Sequence, residues 1–220
     1  MDIRYRPTTI ATVGLAGLGL LAVGACDSDD VTGVVTLQEY SGLFESLNGS
    51  AVAGVTDLRL DDSENVFEVS VEAGALDPNI THAQHIHAGA TCPTMADDAN
   101  GDGFVDVVEG LGDYGGILLP LDSDFSTLAG GVYPQADAQG VLDYLNASGY
   151  DEAIASLVPE DDDPFVELDG GFLPGTRTVV LHGVADTTAL PESVQTLEGM
   201  SRQATLPVAC AELERVSPLD

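Results

Sequence analysis

The stretch "TDLRLDDSENVFEVSVEA", residues 56–73, decides the fold. Thr56, Leu58 and Leu60 alternate with Asp57 and Arg59. After the polar turn formers "DDSEN" at 61–65, Phe67, Val69, Val71 and Ala73 alternate with Glu68, Ser70 and Glu72. Side chains along a strand point to opposite faces with period two. Two such runs around a short polar turn predict an antiparallel hairpin with one buried face.

Working outward, "VVTLQE" at 34–39 predicts an opening strand. Residues 81–87, "GGILLPL" at 115–121, "TRTVVLHGV" at 176–184 and "QATLPVACAELERV" at 203–216 predict further strands. Region 137–158 carries a weaker pattern. Within it, "GYDEAIASLV" has helical spacing at Ile154, Leu157 and Val158, which predicts a short helix in a crossover, stopped by "PEDDDP". The "EDDD" tract at 160–163 reads as a solvated loop, with a cation site as the alternative. Many short strands separated by Gly, Pro, Asp and Asn predict an all-β fold. The expected form is a Greek-key-type antiparallel β-sandwich or barrel over residues 34–216. That length suffices for one domain with its own core.

The N-terminus has a different character. Arg4 and Arg6 precede the apolar run "IATVGLAGLGLLAVGA" at 10–25, the build of a secretory signal. The run ends in "VGAC" at Cys26 and resembles the lipobox of bacterial lipoproteins. That resemblance implies removal of residues 1–25, lipid on Cys26, and export to a bacterial-type cell envelope, periplasmic or outer surface. An ordinary signal peptide or a lone membrane helix is the alternative, although the run is shorter than the ~20 residues a span needs. Residues 27–33, "DSDDVTG", read as an acidic linker.

The charge balance excludes some functions. The chain has 37 acidic residues against 6 basic ones, all Arg, for a formal net charge of −31. Such a surface repels nucleic acid and anionic lipid headgroups, so membrane contact is expected through the N-terminal lipid alone. A protein or envelope partner is left open. Adaptation to a saline habitat explains the acidity as well as a dedicated binding face does. With Cys26 lipidated, Cys92 and Cys210 remain in a compartment that permits disulfides. Their bond would be worth roughly 4–5 kcal/mol in the chain-entropy model. A reduced pair of buried thiols is the alternative.

"DANGDGFVDVVE" at 98–109 matches a twelve-residue calcium loop of the EF-hand type. Calcium takes six to eight oxygens. The loop offers Asp98, Asn100, Asp102, the Phe104 carbonyl, Asp106 through water, and a bidentate Glu109, with Gly103 at the sharp turn. Pro93 before it and Gly110 and Gly112 after it argue against flanking helices. A structural Ca²⁺ with extracellular-class affinity, on the order of 10⁻⁴–10⁻³ M, is expected. An Asp/Gly-rich turn that binds nothing is the alternative.

In "QHIHAG", His85 and His87 share one strand face and Ile86 points to the other, into the core. His182 lies on the Val180 face of its strand, opposite Val179 and Leu181. Two histidines from one strand and one from a neighbour suit copper or zinc with an open coordination position. His82 lies three residues before His85 and would join only if the strand bends. Histidines that bond locally or rim a surface are the alternative. A cupin-type site lacks its acidic ligand here, because "AGATCP" follows the pair.

Together "HIHAG", Cys92, "TVVLHG" and the late "VAC" resemble, in order, the copper–zinc superoxide dismutase pattern. The stretch 47–89 is also similar to a CHRD domain, which ends in "HIHxG". The dismutase resemblance implies copper ligands on the His-x-His strand and on the later strand, and a disulfide from Cys92 to Cys210. The departures matter for function. No histidine lies between His87 and His182, so the bridging and zinc ligands have no counterpart. Pro207 stands where that family's superoxide-steering Arg is expected. Two readings result. One is a lipid-anchored, calcium-braced β-sandwich with a binding or envelope role and no catalysis. The other is a copper-binding redox protein using His85, His87 and His182.

Overall fold

The structure, a computed structural model, describes residues 37–125, 131–157 and 174–216. The signal segment with Cys26, the linker, the first residues of the expected opening strand, Val158 and the "EDDD" tract lie outside the described residues. The described residues all belong to the compact unit Val34–Asp220.

Among the described residues nine strands form one antiparallel sheet: β1 (Gln38–Ser46), β2 (Ala53–Asp61), β3 (Val66–Gly74), β4 (Gln84–His87), β5 (Ile117–Pro120), β6 (Leu142–Ser148), β7 (Thr178–His182), β8 (Pro207–Glu212) and β9 (Glu214–Arg215). Their order is β5-β4-β7-β8-β1-β2-β3-β6, with β9 added to β1. The β3–β4, β5–β6 and β6–β7 connections cross between the two halves of the sheet, so the topology is Greek-key rather than a meander. Short helices are α1 (Leu111–Tyr114), α2 (Tyr150–Ser156) and α3 (Arg202–Thr205).

The hairpin of residues 56–73 forms in the expected register, with Leu58 opposite Val69 and Leu60 opposite Phe67. Asn65 closes its turn at φ 53°, a left-handed conformation that Asn tolerates well. Every residue assigned to its inner face is buried, and each large apolar one contributes about 1.5–3 kcal/mol by leaving water. The sheet curls around this face. Phe67 packs edge-on against Phe125, ring centres 5.8 Å apart. The two ends of the sheet approach each other, and both Tyr144 Oη and Asn146 Nδ2 of β6 donate to the Asp122 carbonyl just past β5.

Three elements differ from the sequence expectation. Leu142–Ser148 is a full strand, pairing seven residues with β3; only Leu142 and Tyr144 are buried, so its apolar alternation is short. The crossover helix α2 follows it and buries Ala153. Residues 202–205, expected in the last strand, instead form one helical turn capped by the Ser201 hydroxyl. The opening strand begins at Gln38 and runs through "YSGLFE", where Gly42 faces inward and Leu43 faces solvent. A Cβ at Gly42 would overlap the Glu212 carbonyl of β8, so close strand approach requires the glycine.

Ile86, Val179 and Leu181 enter the main core. The opposite, outer face of β4, β7 and β8 is covered too. Val180 and Cys210 form a second apolar cluster there with Leu47 and Tyr114. The Cys92–Cys210 disulfide, Cα atoms 5.7 Å apart, fastens the long β4–β5 connection onto this face. A disulfide fits an oxidising, non-cytoplasmic compartment.

Candidate metal centre

On that covered outer face the three expected histidines meet. His85 and His87 come from β4, which is paired to β7 with His85 opposite Val180 and His87 opposite Thr178. His182 ends β7. Register irregularities follow Ile86 and Leu181, and bulges of this kind re-aim side chains. The ring centres are 5.5 Å apart for His85 and His87, 5.3 Å for His85 and His182, and 5.9 Å for His87 and His182. One ligand nitrogen from each lies within 4.8 Å of the others.

Each ring has one nitrogen engaged and one free. His87 Nδ1–H donates to the Gly115 carbonyl at 2.9 Å, and His182 Nδ1–H to the Thr205 carbonyl at 2.8 Å. Carbonyls only accept, so both rings carry their lone pair on Nε2. His85 Nε2 bonds the Tyr133 hydroxyl at 2.8 Å, leaving Nδ1. Seven side-chain polar atoms among the described residues are sealed from water without a hydrogen-bond partner; three are His85 Nδ1, His87 Nε2 and His182 Nε2. Leaving a buried acceptor unpaired costs roughly 1–3 kcal/mol. Three such nitrogens gathered together fit a metal ion; carbonyl partners fix the tautomers of His87 and His182 as they do in metal sites, and His85 Nδ1 is an acceptor when its Nε2–H donates to the Tyr133 oxygen.

Burial keeps the rings neutral. It pulls His85 well below the ordinary histidine range, with the neighbouring His182 and His87 adding repulsion. It takes His87 to about 3 and His182 to about 4. A neutral imidazole is the ligating form.

His82 stands apart. Its Nδ1 faces the His182 carbonyl at 3.2 Å and its Nε2 the Asp77 carbonyl at 3.0 Å. It braces the end of β7 and lies outside the three-histidine group.

Two tyrosines complete the surroundings, and the sequence reading missed both. Tyr114 is fully buried, with its ring 4.7 Å from His87 and its hydroxyl donating to the Val107 carbonyl at 2.9 Å. Burial, with Asp122 second, pushes Tyr133 up to about 12, so it is a neutral hydroxyl beside His85. Tyr114 directly precedes the glycines of "DYGG" and Tyr133 lies two residues after those of "GGVY", and neither spacing points to the histidines. The glycine of "HIHAG" is explained as well: a Cβ on Gly89 would overlap the Asp113 carbonyl.

The acidic loop folds inward on its own amides. Asp98 accepts from Gly101, Asp102 and Gly103, and Glu109 from Ala99, Asn100 and Asp106. Asn100 Oδ1 accepts from Asp102, and Asp102 Oδ1 from the Phe104 amide. Gly101 and Gly103 take positive φ of 72° and 93°. Asp106 is fully buried and spends both oxygens on the amides of Val108, Glu109 and Gln195. A single helical turn, α1, follows the loop directly after Gly110. Among the described residues the histidine trio is the only set of three or more His, Cys, Asp or Glu ligand atoms gathered within 4.8 Å.

A cavity of about 520 Å³ opens over the histidines. Arg177 and Arg202 do not line it; their guanidinium groups donate to the backbone carbonyls of Ala88 and Val194 respectively.

No family model and no curated protein matches the chain. Among solved structures, a proline-to-histidine mutant of an SOD-like protein from Bacillus subtilis is similar at 17% identity. The match covers 78% of this chain and 95% of that one, with a TM-score of 0.42. The Greek-key assignment rests on this chain's own strand pairings.

Proposed function

We propose that this chain is an exported, lipid-anchored metal protein that holds one copper ion on His85 Nδ1, His87 Nε2 and His182 Nε2. The observation that carries the reading is the convergence of three buried imidazole nitrogens with no other partner. Imidazole suits both copper and zinc, and Cu²⁺ binds more tightly at a given nitrogen site. Three protein ligands leave a fourth position open. When bound, copper supplies a one-electron couple. The chain's own contribution is to hold three neutral, largely buried rings together, with the tautomers of His87 and His182 fixed by carbonyls. Fast superoxide dismutation does not fit, because among the described residues no guanidinium lines the cavity and the net charge of −31 opposes an anion.

A structural calcium ion in the 98–109 loop is a second element of the proposal. Its support is the twelve-position match together with Asp102 Oδ2, which is closed off from water without a donor. Elemental analysis of the full-length chain, purified without chelator and then given copper, tests both. One copper per chain, absent from the His87→Ala variant, supports the metal centre; no stoichiometric copper or zinc overturns it. Calcium near one per chain, lost in Glu109→Gln, supports the loop site.

A further inference from the structure

We propose that the cavity above the histidines receives an uncharged aromatic molecule whose single nitrogen or oxygen donor takes the open metal position. This rests on the metal reading above. The chain has 37 acidic residues, yet no described residue lining this cavity is Asp, Glu or Arg. The walls are Leu111, Ile117, Leu197 and Met200, with the rings of Tyr114 and Tyr133 beside the histidines. At about 520 Å³ the space falls within the range of small-molecule sites, which pair apolar walls with a few convergent polar groups. The three histidines are that polar group, and each is less than a tenth exposed, so the cavity is their route to solvent.

Charge selects further. A small anion would leave water for an apolar wall inside a strongly negative molecule, and only the metal would offset that cost. A neutral ring loses nothing to the field and gains from the walls. Ile117, Leu197 and Met200 remain 38%, 44% and 47% exposed at the rim. Their apolar surface is therefore unspent until a guest covers it.

The test uses the full-length chain loaded with one equivalent of copper. It is titrated separately with 4-phenylimidazole, imidazole and azide, following the copper absorption and EPR spectra. All three probes bring a nitrogen donor; only the first adds a phenyl ring to cover the apolar walls. The expected result is half-saturation by 4-phenylimidazole at a concentration at least about tenfold below imidazole, with azide weakest. The Ile117→Asn/Leu197→Asn variant, with copper content measured in the same sample, should bring the two azoles together. Equal azole affinities in the wild-type protein, or azide binding best, overturn the inference while leaving the metal centre standing. A dimer that excludes 4-phenylimidazole overturns it too, by making a second chain the occupant. A chain that takes up no copper overturns the metal reading and this inference with it.

Discussion

Asp106 accepts a hydrogen bond from the Gln195 amide at 2.7 Å, across 89 positions of sequence. Through this bond the acidic loop grips the long β7–β8 connection, whose Thr205 carbonyl orients His182. Asp106 holds three backbone amides in all, in a fully buried position. Asp106→Ala should therefore destabilise the fold by about 2–4 kcal/mol, since it removes a buried carboxylate that accepts from three backbone amides. Urea unfolding measures this. Asp106→Asn should recover part of the loss, because one oxygen remains as an acceptor.

His182 and His82 should separate cleanly. His182→Ala removes a proposed ligand and should abolish stoichiometric copper. His82→Ala removes two contacts to carbonyls and should cost about 1–3 kcal/mol of stability with copper retained. Copper content and unfolding free energy, measured on both variants, check the pair. Loss of copper in His82→Ala would place that residue in the centre after all.

The metal-free protein should weaken in acid through its three buried rings. Their folded values lie below the ordinary histidine value of 6.5, near 3 for His87 and 4 for His182. Below pH 6.5 the unfolded chain binds the extra protons, so this contribution to stability falls as pH falls. For His87 and His182 it levels off once the folded rings also protonate, near pH 3–4. The carboxylates add their own dependence, so the comparison is with the His85→Gln/His87→Gln/His182→Gln variant. The wild-type curve should drop more steeply between pH 6.5 and 4 than the variant's.

Reducing the disulfide should act on the site as well as on stability. Cys92 ties to Cys210, and its backbone N–H donates to Glu212 Oε1 at 2.9 Å. The connection it fastens carries Tyr114 and the Gly115 carbonyl that orients His87. The Cys92→Ser/Cys210→Ser variant should lose about 2–5 kcal/mol and release copper to a chelator faster than wild type. Unchanged release would mean that packing alone holds the connection.

The legible parts of the sequence were those with a simple period. The hairpin of 56–73 and the face assignments of Ile86, Val179 and Leu181 follow from alternation, and so does the shared face of His85 and His87. Strand β6 was obscure because the polar or small Asn146, Ala147 and Ser148 extend it beyond its two buried apolar residues. The site's outer shell was obscure for another reason. Tyr133, Gly115 and Thr205 reach the histidines from three separate connections, 48, 28 and 23 positions away. No local pattern encodes such meetings; they arise only when the sheet brings the loops together. The acidic loop was legible as ligand types at fixed offsets, whereas its grip on Gln195 was not.

The join between β5 and β6 is held differently from the rest of the sheet. Among the described residues the other neighbouring strands share backbone ladders, but here two side chains, Tyr144 and Asn146, converge on the single Asp122 carbonyl. A join with so few bonds is where the sheet should breathe first. Amide exchange should be fast along Ile117–Asp122 and slow along β7, which lies two strands inward from that edge.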